Sequence, residues 1–166
     1  MNKDVISVVE AAYRVESGPA WISGVARAAA EALGLEGAVA VLHDASNPEW
    51  VRIEHMELVG VSPEFANLIF NRPNDATKPG FCDFLRKPQV NSVLEEPMVR
   101  DTYRDDFQKH GIQDAFAINA GDPSGRGCML VFPDRRRTHA ASWLHSWRRV
   151  AAHIAAGNRL RRTLTH

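Results

Sequence analysis

Cysteine is scarce in this chain, with two in 166 residues, Cys82 and Cys128. They lie far apart and have no Cys or His neighbour at metal-ligand spacing, so neither a disulfide framework nor a zinc knuckle is indicated. Both are expected to be buried, reduced thiols. Long apolar runs are missing too. No stretch approaches the roughly 18 apolar residues that cross a bilayer, and Met1-Asn2-Lys3-Asp4 leads into an amphipathic run rather than a long apolar segment. A cytoplasmic location without membrane association is the expectation. Acid is absent from one end. The segment from Arg135 to His166 carries eight Arg and no Asp or Glu, while Met1 to Asp134 holds all 20 acids and the other 12 basic residues, for a net charge of zero. The body is acidic and the tail basic.

Assembled catalytic signatures are missing as well. The turn Asp122 to Gly127 is glycine-rich, but it lacks the spacing and Lys of a phosphate-binding loop and joins two strand-like runs, so a structural hairpin is the better reading. His145 and His153 are eight residues apart, too far to share a metal across one helical turn, and the Glu of an H-E-x-x-H site is absent. Glu95-Glu96 and Asp105-Asp106 are adjacent acids that face different ways on a regular element. A nucleophilic Cys82 or Cys128 would need a base and an orienting group that no local motif announces.

What is present is an ordinary globular composition, 45% hydrophobic and 24% charged. A chain near this length hides about 70% of the surface its unfolded form exposes, so residues 1–166 are expected to form one domain. Val5, Val8, Val9, Ala12 and Tyr13 recur at helical spacing and predict an opening amphipathic helix. Pro19 suits the start of a second helix and Gly34 its end, with Trp21, Val25, Ala28, Ala29 and Ala32 on one face. Gly37 to His43 and Trp50 to Val59 flank the turn cluster Asp44 to Pro48 and predict a hairpin. Ser62-Pro63-Glu64 opens a helix carrying Phe65, Leu68 and Ile69, which Asn71-Arg72-Pro73 stops. Between Asn74 and Val99 the pattern is weakest, because Pro79, Pro88 and Pro97 interrupt each candidate element. Asp101 to Lys109 is a short helix, and Ile112 to Ala120 with Cys128 to Phe132 form the clearest hairpin. A long helix over residues 139–164 closes the chain. Antiparallel pairs with helices on the faces predict an α+β sandwich and not a parallel doubly wound sheet.

Aromatic residues concentrate in and beside the irregular middle segment: Phe81, Phe84, Tyr103 and Phe107. Where they are not all core, they would wall an apolar ligand pocket with His55, Cys82, Asn119 and Met129. The last helix offers a seam of Trp143, Trp147, Val150 and Ile154, expected to join two copies into a homodimer. Its arginines lack a recognisable nucleic-acid reading element beside them.

Three stretches resemble the GAF-like sensor domain found upstream of LuxR-type helix-turn-helix regulators in myxobacteria and their relatives. They are Gly111 to Asp114, Asn119 to Cys128, and Trp147 to Gly157 with Arg159-Leu160-Arg161-Arg162 after it. The resemblance implies a GAF/PAS-like antiparallel sheet, first and last helices packed together, and a signal pocket between the sheet and the middle segment. Four residues follow Arg162, which leaves no helix-turn-helix in the sequence as given, so no direct nucleic-acid binding by this chain is expected. No cofactor is specified; haem is compatible with the architecture, but no His stands out as an axial ligand. The expectation is a small-molecule-sensing regulatory domain and not an enzyme. The alternatives are a protein-interaction module with a filled core and, third, a small Cys- or His-dependent enzyme.

Overall fold

The computed structural model describes residues 3–70, 81–97, 99–136 and 141–165. Helix α1 (Lys3–Ala12) and helix α2 (Gly18–Leu33) come first. Ser17 caps α2 by accepting from the Ala20 amide, and Gly34 ends it in the left-handed region at φ 67°, a conformation that costs glycine nothing. Strands β1 (Ala38–Asp44) and β2 (Arg52–Val59) form the first hairpin, followed by α3 (Pro63–Phe70). The Phe65 amide donates to Ser62 Oγ at its start. Next come α4 (Phe81–Leu85), β3 (Gln89–Ser92), a 3-10 turn over Val93–Glu95, and α5 (Arg100–Lys109). Strands β4 (Asp114–Gly121) and β5 (Arg126–Asp134) make the second hairpin, turning through Gly125 at φ 87°, and α6 (Ala141–Thr165) closes the chain. The expected stop at Asn71 to Pro73 lies outside the described residues.

All neighbours in the five-stranded sheet, ordered β2-β1-β5-β4-β3, run antiparallel. The fold is therefore α+β with a helix-flanked antiparallel sheet, as the sequence pattern predicts. Strand period sorts the side chains cleanly. Ala38, Ala40, Leu42, Phe116, Ile118, Cys128, Leu130 and Phe132 face one side and pack on α1, α2 and α6. Val39, Val41, Ala115 and Val131 face the other and meet Phe65, Ile69, Tyr103 and Phe107 from α3 and α5. A one-residue slip would exchange the two faces, so double-sided burial fixes the register of β1 and β5. The fifth strand, β3, is one the sequence does not announce. It is a four-residue edge strand in which Val90 is the one apolar residue, and it follows Pro88 directly.

Helix α2 lies over β1 and β2, α6 crosses β3, β4 and β5, and α1 rests on both helices. The terminal helices are thus packed together. Their junction is Ala12: its carbonyl accepts from Trp21 Nε1 at 2.9 Å, and a Cβ on Gly157 would fall 2.0 Å from that same oxygen. The seam expected to face a second copy is used inside the chain instead. Trp147, Val150 and Ile154 are buried in the core, with Trp147 edge-on to Phe116 at 6.2 Å between ring centres. Only Trp143 of the four is partly open. Periodicity correctly marks the apolar face of α6, but the sheet takes that face before any partner can.

Candidate functional site

The two faces of the sheet are not equally filled. Toward α2 and α6, the central-strand residues Phe116, Ile118, Cys128 and Leu130 have no solvent exposure. Toward α3, α4 and α5, Ala117 of β4 and Met129 of β5 stay partly accessible, although paired strands flank both on either side. Among the described residues, small Ala117 and flexible Met129 thus form a partly accessible floor beneath the cover.

The cover is held at its base by a polar clamp. Asn119 sits beside Met129 on this face, and its amide nitrogen lies within hydrogen-bond distance of three carbonyls at the end of α4: Phe84 at 3.3 Å, Leu85 at 3.1 Å and Lys87 at 2.8 Å. Gln89 Nε2 donates to the Phe84 carbonyl as well. Gly121 permits the approach, since a Cβ there would lie 1.6 Å from the Leu85 carbonyl oxygen. Arg86 ties the same turn to the first hairpin loop, donating to the Ala45 and Ser46 carbonyls at 3.2 and 3.0 Å.

His43 completes the clamp. Gly127 and Gly121 lie opposite it across β5 and β4, and over them the imidazole Nε2 meets Asn119 Oδ1 at 3.4 Å. Its Nδ1 is buried without a hydrogen-bond partner; the Gly125 carbonyl is near enough to favour the charged ring but outside bonding geometry. Burial lowers the His43 pKa, and the Asn119 contact, the Gly125 carbonyl, Asp44 and Glu54 only partly offset it. The folded state therefore takes up a proton less readily than the unfolded chain. Stability from this group is fully present above the unfolded value of about 6.5 and is lost as pH falls below it toward the depressed folded value. Chemical denaturation of the native chain and His43→Gln between pH 5 and 8 should show a stability that falls faster with acid in the native protein, by up to about 1.4 kcal/mol per pH unit in that window. Equal slopes would remove His43 as the cause.

The residues expected to line a pocket separate into three groups. Cys82 and Phe84 of α4 pack with Leu85, Ala45 and Met129, and Asn119 joins them through the clamp. Tyr103 and Phe107 of α5, with ring centres 5.6 Å apart, belong to the adjoining cluster that Met129 also touches. Phe107 is fully buried, and the Tyr103 hydroxyl donates to the Ile69 carbonyl at 2.7 Å. His55 is elsewhere. From β2 it pairs with Leu42 of β1, which points it to the α2 and α6 face, and its Nε2 meets Glu57 Oε1 at 2.6 Å. An exposed edge strand alternates in sequence without saying which face is which. Phe81 opens α4; its side chain lies outside the described residues. Sequence reasoning also passed over His43, Ala117 and Gly121; the one available signal was a histidine ending the apolar run Gly37 to His43.

Reactive groups are muted here. Burial pushes the Cys128 thiol up to about 12 and raises that of Cys82, with Arg86 acting the other way on the latter. Thiols so placed are protonated near neutrality and poor nucleophiles. Cys82 Sγ instead approaches the Trp50 carbonyl at 3.9 Å. Among the described residues no three His, Cys, Asp or Glu side chains gather to hold a metal, and no helix is long and apolar enough to cross a membrane.

The architecture is α+β, a five-stranded antiparallel sheet with helices on both faces. Among solved structures, the chain is similar to the N-acylhomoserine lactone dependent LuxR family transcription factor CepR2 from Burkholderia cenocepacia, with a TM-score of 0.56 over 94% of this chain and 91% of that one. Sequence identity is 18%, so the likeness is one of fold. No protein-family model and no curated protein sequence matches.

Proposed function

We propose that this chain is a signal-sensing regulatory domain, not an enzyme, which binds a small ligand with an apolar body between the sheet and its α3, α4 and α5 cover. The observation that carries the reading is the partly accessible floor of Ala117 and Met129 within the otherwise buried central strands β1, β4 and β5, the exposed Arg126 at the start of β5 apart. The ligand's body rests on this floor, with Phe84 and Cys82 on one side and Tyr103 and Phe107 on the other. A ligand of this kind gains roughly 25 cal/mol per Å² of apolar surface buried. The GAF-like kinship belongs to this reading, as does a role in transcription regulation in which this chain does not itself contact DNA. A ligand shifts the domain only by binding two of its states unequally, and α6, seated across three strands, carries the difference outward. Self-association would use surface other than the buried Trp147 seam, and native mass in solution measures it.

The solved relative is described as dependent on an N-acylhomoserine lactone, so the first probes are N-acylhomoserine lactones of graded chain length, followed by small aromatic amphiphiles. At a hundredfold excess over its Kd a ligand adds about 2.7 kcal/mol, which raises Tm by roughly 5–11 °C for a domain of this size. Ala117→Phe fills the floor and is expected to abolish that shift while the apo protein stays folded. A full shift in Ala117→Phe would place the ligand elsewhere and refute the site. Absence of any shift across both probe series, with Met129 and Ala117 found packed over in a crystal structure, would favour the filled-core interaction module.

A further inference from the structure

A recess lies on the opposite side of the sheet from the Ala117 and Met129 floor. It is a cleft of about 650 Å³ where α1 and the first half of α6 pass the last turn of α2. Val9, Leu33, Trp143, Trp147 and Val150 line it. Leu33, Trp147 and Val150 are nearly solvent-free, so the cleft reaches down to the core. The two helices meet at Gly157 and Ala12, and the cleft occupies the stretch before that meeting. From Trp143 to His153 it runs about 15 Å along α6, the scale of a medium-length alkyl chain, and its volume suits a small molecule.

One edge of the cleft is a polar ridge. His145, Arg149 and His153 all line it and recur at four-residue spacing, which stacks them on one side of α6. Among the described residues no Asp or Glu lines the cleft, and α6 carries no acid at all. Tyr13 holds His153: its hydroxyl lies 3.1 Å from Nδ1, with the rings edge to face. With Nδ1 accepting from the hydroxyl, the proton sits on Nε2 and is free to be donated.

We propose that this cleft binds monomeric anionic amphiphiles, with the alkyl tail along Trp143 and Trp147 and a carboxylate head on Arg149 and His153. The apolar floor and the polar ridge with its Arg149 cation run side by side over the same ten residues of α6, so a ligand satisfies both only if it carries a tail and an anion together. A charge-assisted bond from the guanidinium to a carboxylate gives the head its orientation.

The test is a tryptophan-fluorescence titration of the whole chain with dodecanoate below its micelle concentration. A saturable change is expected, with dodecyltrimethylammonium binding at least tenfold more weakly. Arg149→Glu should weaken dodecanoate by tenfold or more, whereas Arg159→Glu, the same charge change on exposed α6 surface outside the cleft, should leave it unaltered. Ala32→Phe, which fills the cleft, should block binding; exposed Arg149 carries the test if that variant is unstable. Co-sedimentation with phosphatidylglycerol vesicles separates a free amphiphile from a bilayer surface, and the chain is expected to stay in the supernatant. The proposal is overturned by the lack of a saturable signal, by equal binding of the cationic amphiphile, by an Arg149→Glu protein that binds as well as the native one, or by binding to vesicles alone.

Discussion

Gly157→Ala is expected to cost about 4 kcal/mol or more, and so to lower Tm by roughly 8–16 °C, whereas Gly24→Ala should raise stability by about 0.5–1 kcal/mol. Both glycines lie inside helices, so helix propensity alone favours alanine at each. The surroundings decide the sign. A Cβ on Gly24 meets nothing within 4 Å, while one on Gly157 would fall 2.0 Å from the Ala12 carbonyl oxygen and 2.6 Å from its carbon. Backbone cannot rotate away as a side chain can, so α1 must lift from α6, and the Trp21 Nε1 bond to that carbonyl is strained with it. Thermal unfolding of the two variants beside the native protein checks this. Equal effects at the two positions would mean that the terminal helices are not in contact.

Asn119→Ala should have the second largest effect, a loss of about 3 kcal/mol in stability with a larger loss of order over α4. The substitution removes the nitrogen that lies on the Phe84, Leu85 and Lys87 carbonyls and the oxygen that meets His43 Nε2. Net hydrogen bonds contribute about 1 kcal/mol each, and buried groups left without partners add to the loss. Hydrogen exchange by mass spectrometry should show residues 81–92 exchanging faster while β1 and β5 keep their protection. If the α4 segment exchanges unchanged, Asn119 does not hold the cover in place.

Much of this fold is legible in sequence because the dominant signals are local. Pro19 and Gly34 bracket α2, Ser62 with Pro63 starts α3, and Gly125 turns the second hairpin, each through backbone chemistry that does not depend on the rest of the chain. The errors come where the answer depends on what lies across a gap. The apolar stripe of α6 reads identically whether a second copy or the chain's own sheet covers it, and here Phe116 meets Trp147. β3 has a single buried aliphatic, Val90, and exists because β4 offers it an edge. His55 alternates on an edge strand whose faces only register distinguishes. Of the candidate site, the aromatic and sulfur residues Cys82, Phe84, Tyr103, Phe107 and Met129 announce themselves by type, whereas Ala117 matters for being small and Gly121 for having no side chain at all.

The most direct test of the proposed ligand floor uses methyl NMR of the chain labelled at methionine Cε, titrated with whichever N-acylhomoserine lactone or aromatic amphiphile stabilises it. The Met129 methyl, on the floor between the α4 and α5 clusters, should shift on binding and show contacts to the ligand, and Ala117→Phe should erase both. A stabilising ligand that leaves the Met129 methyl unmoved while perturbing the Trp143 indole would contradict the account, because the sensing site would then lie on the α1, α2 and α6 side of the sheet.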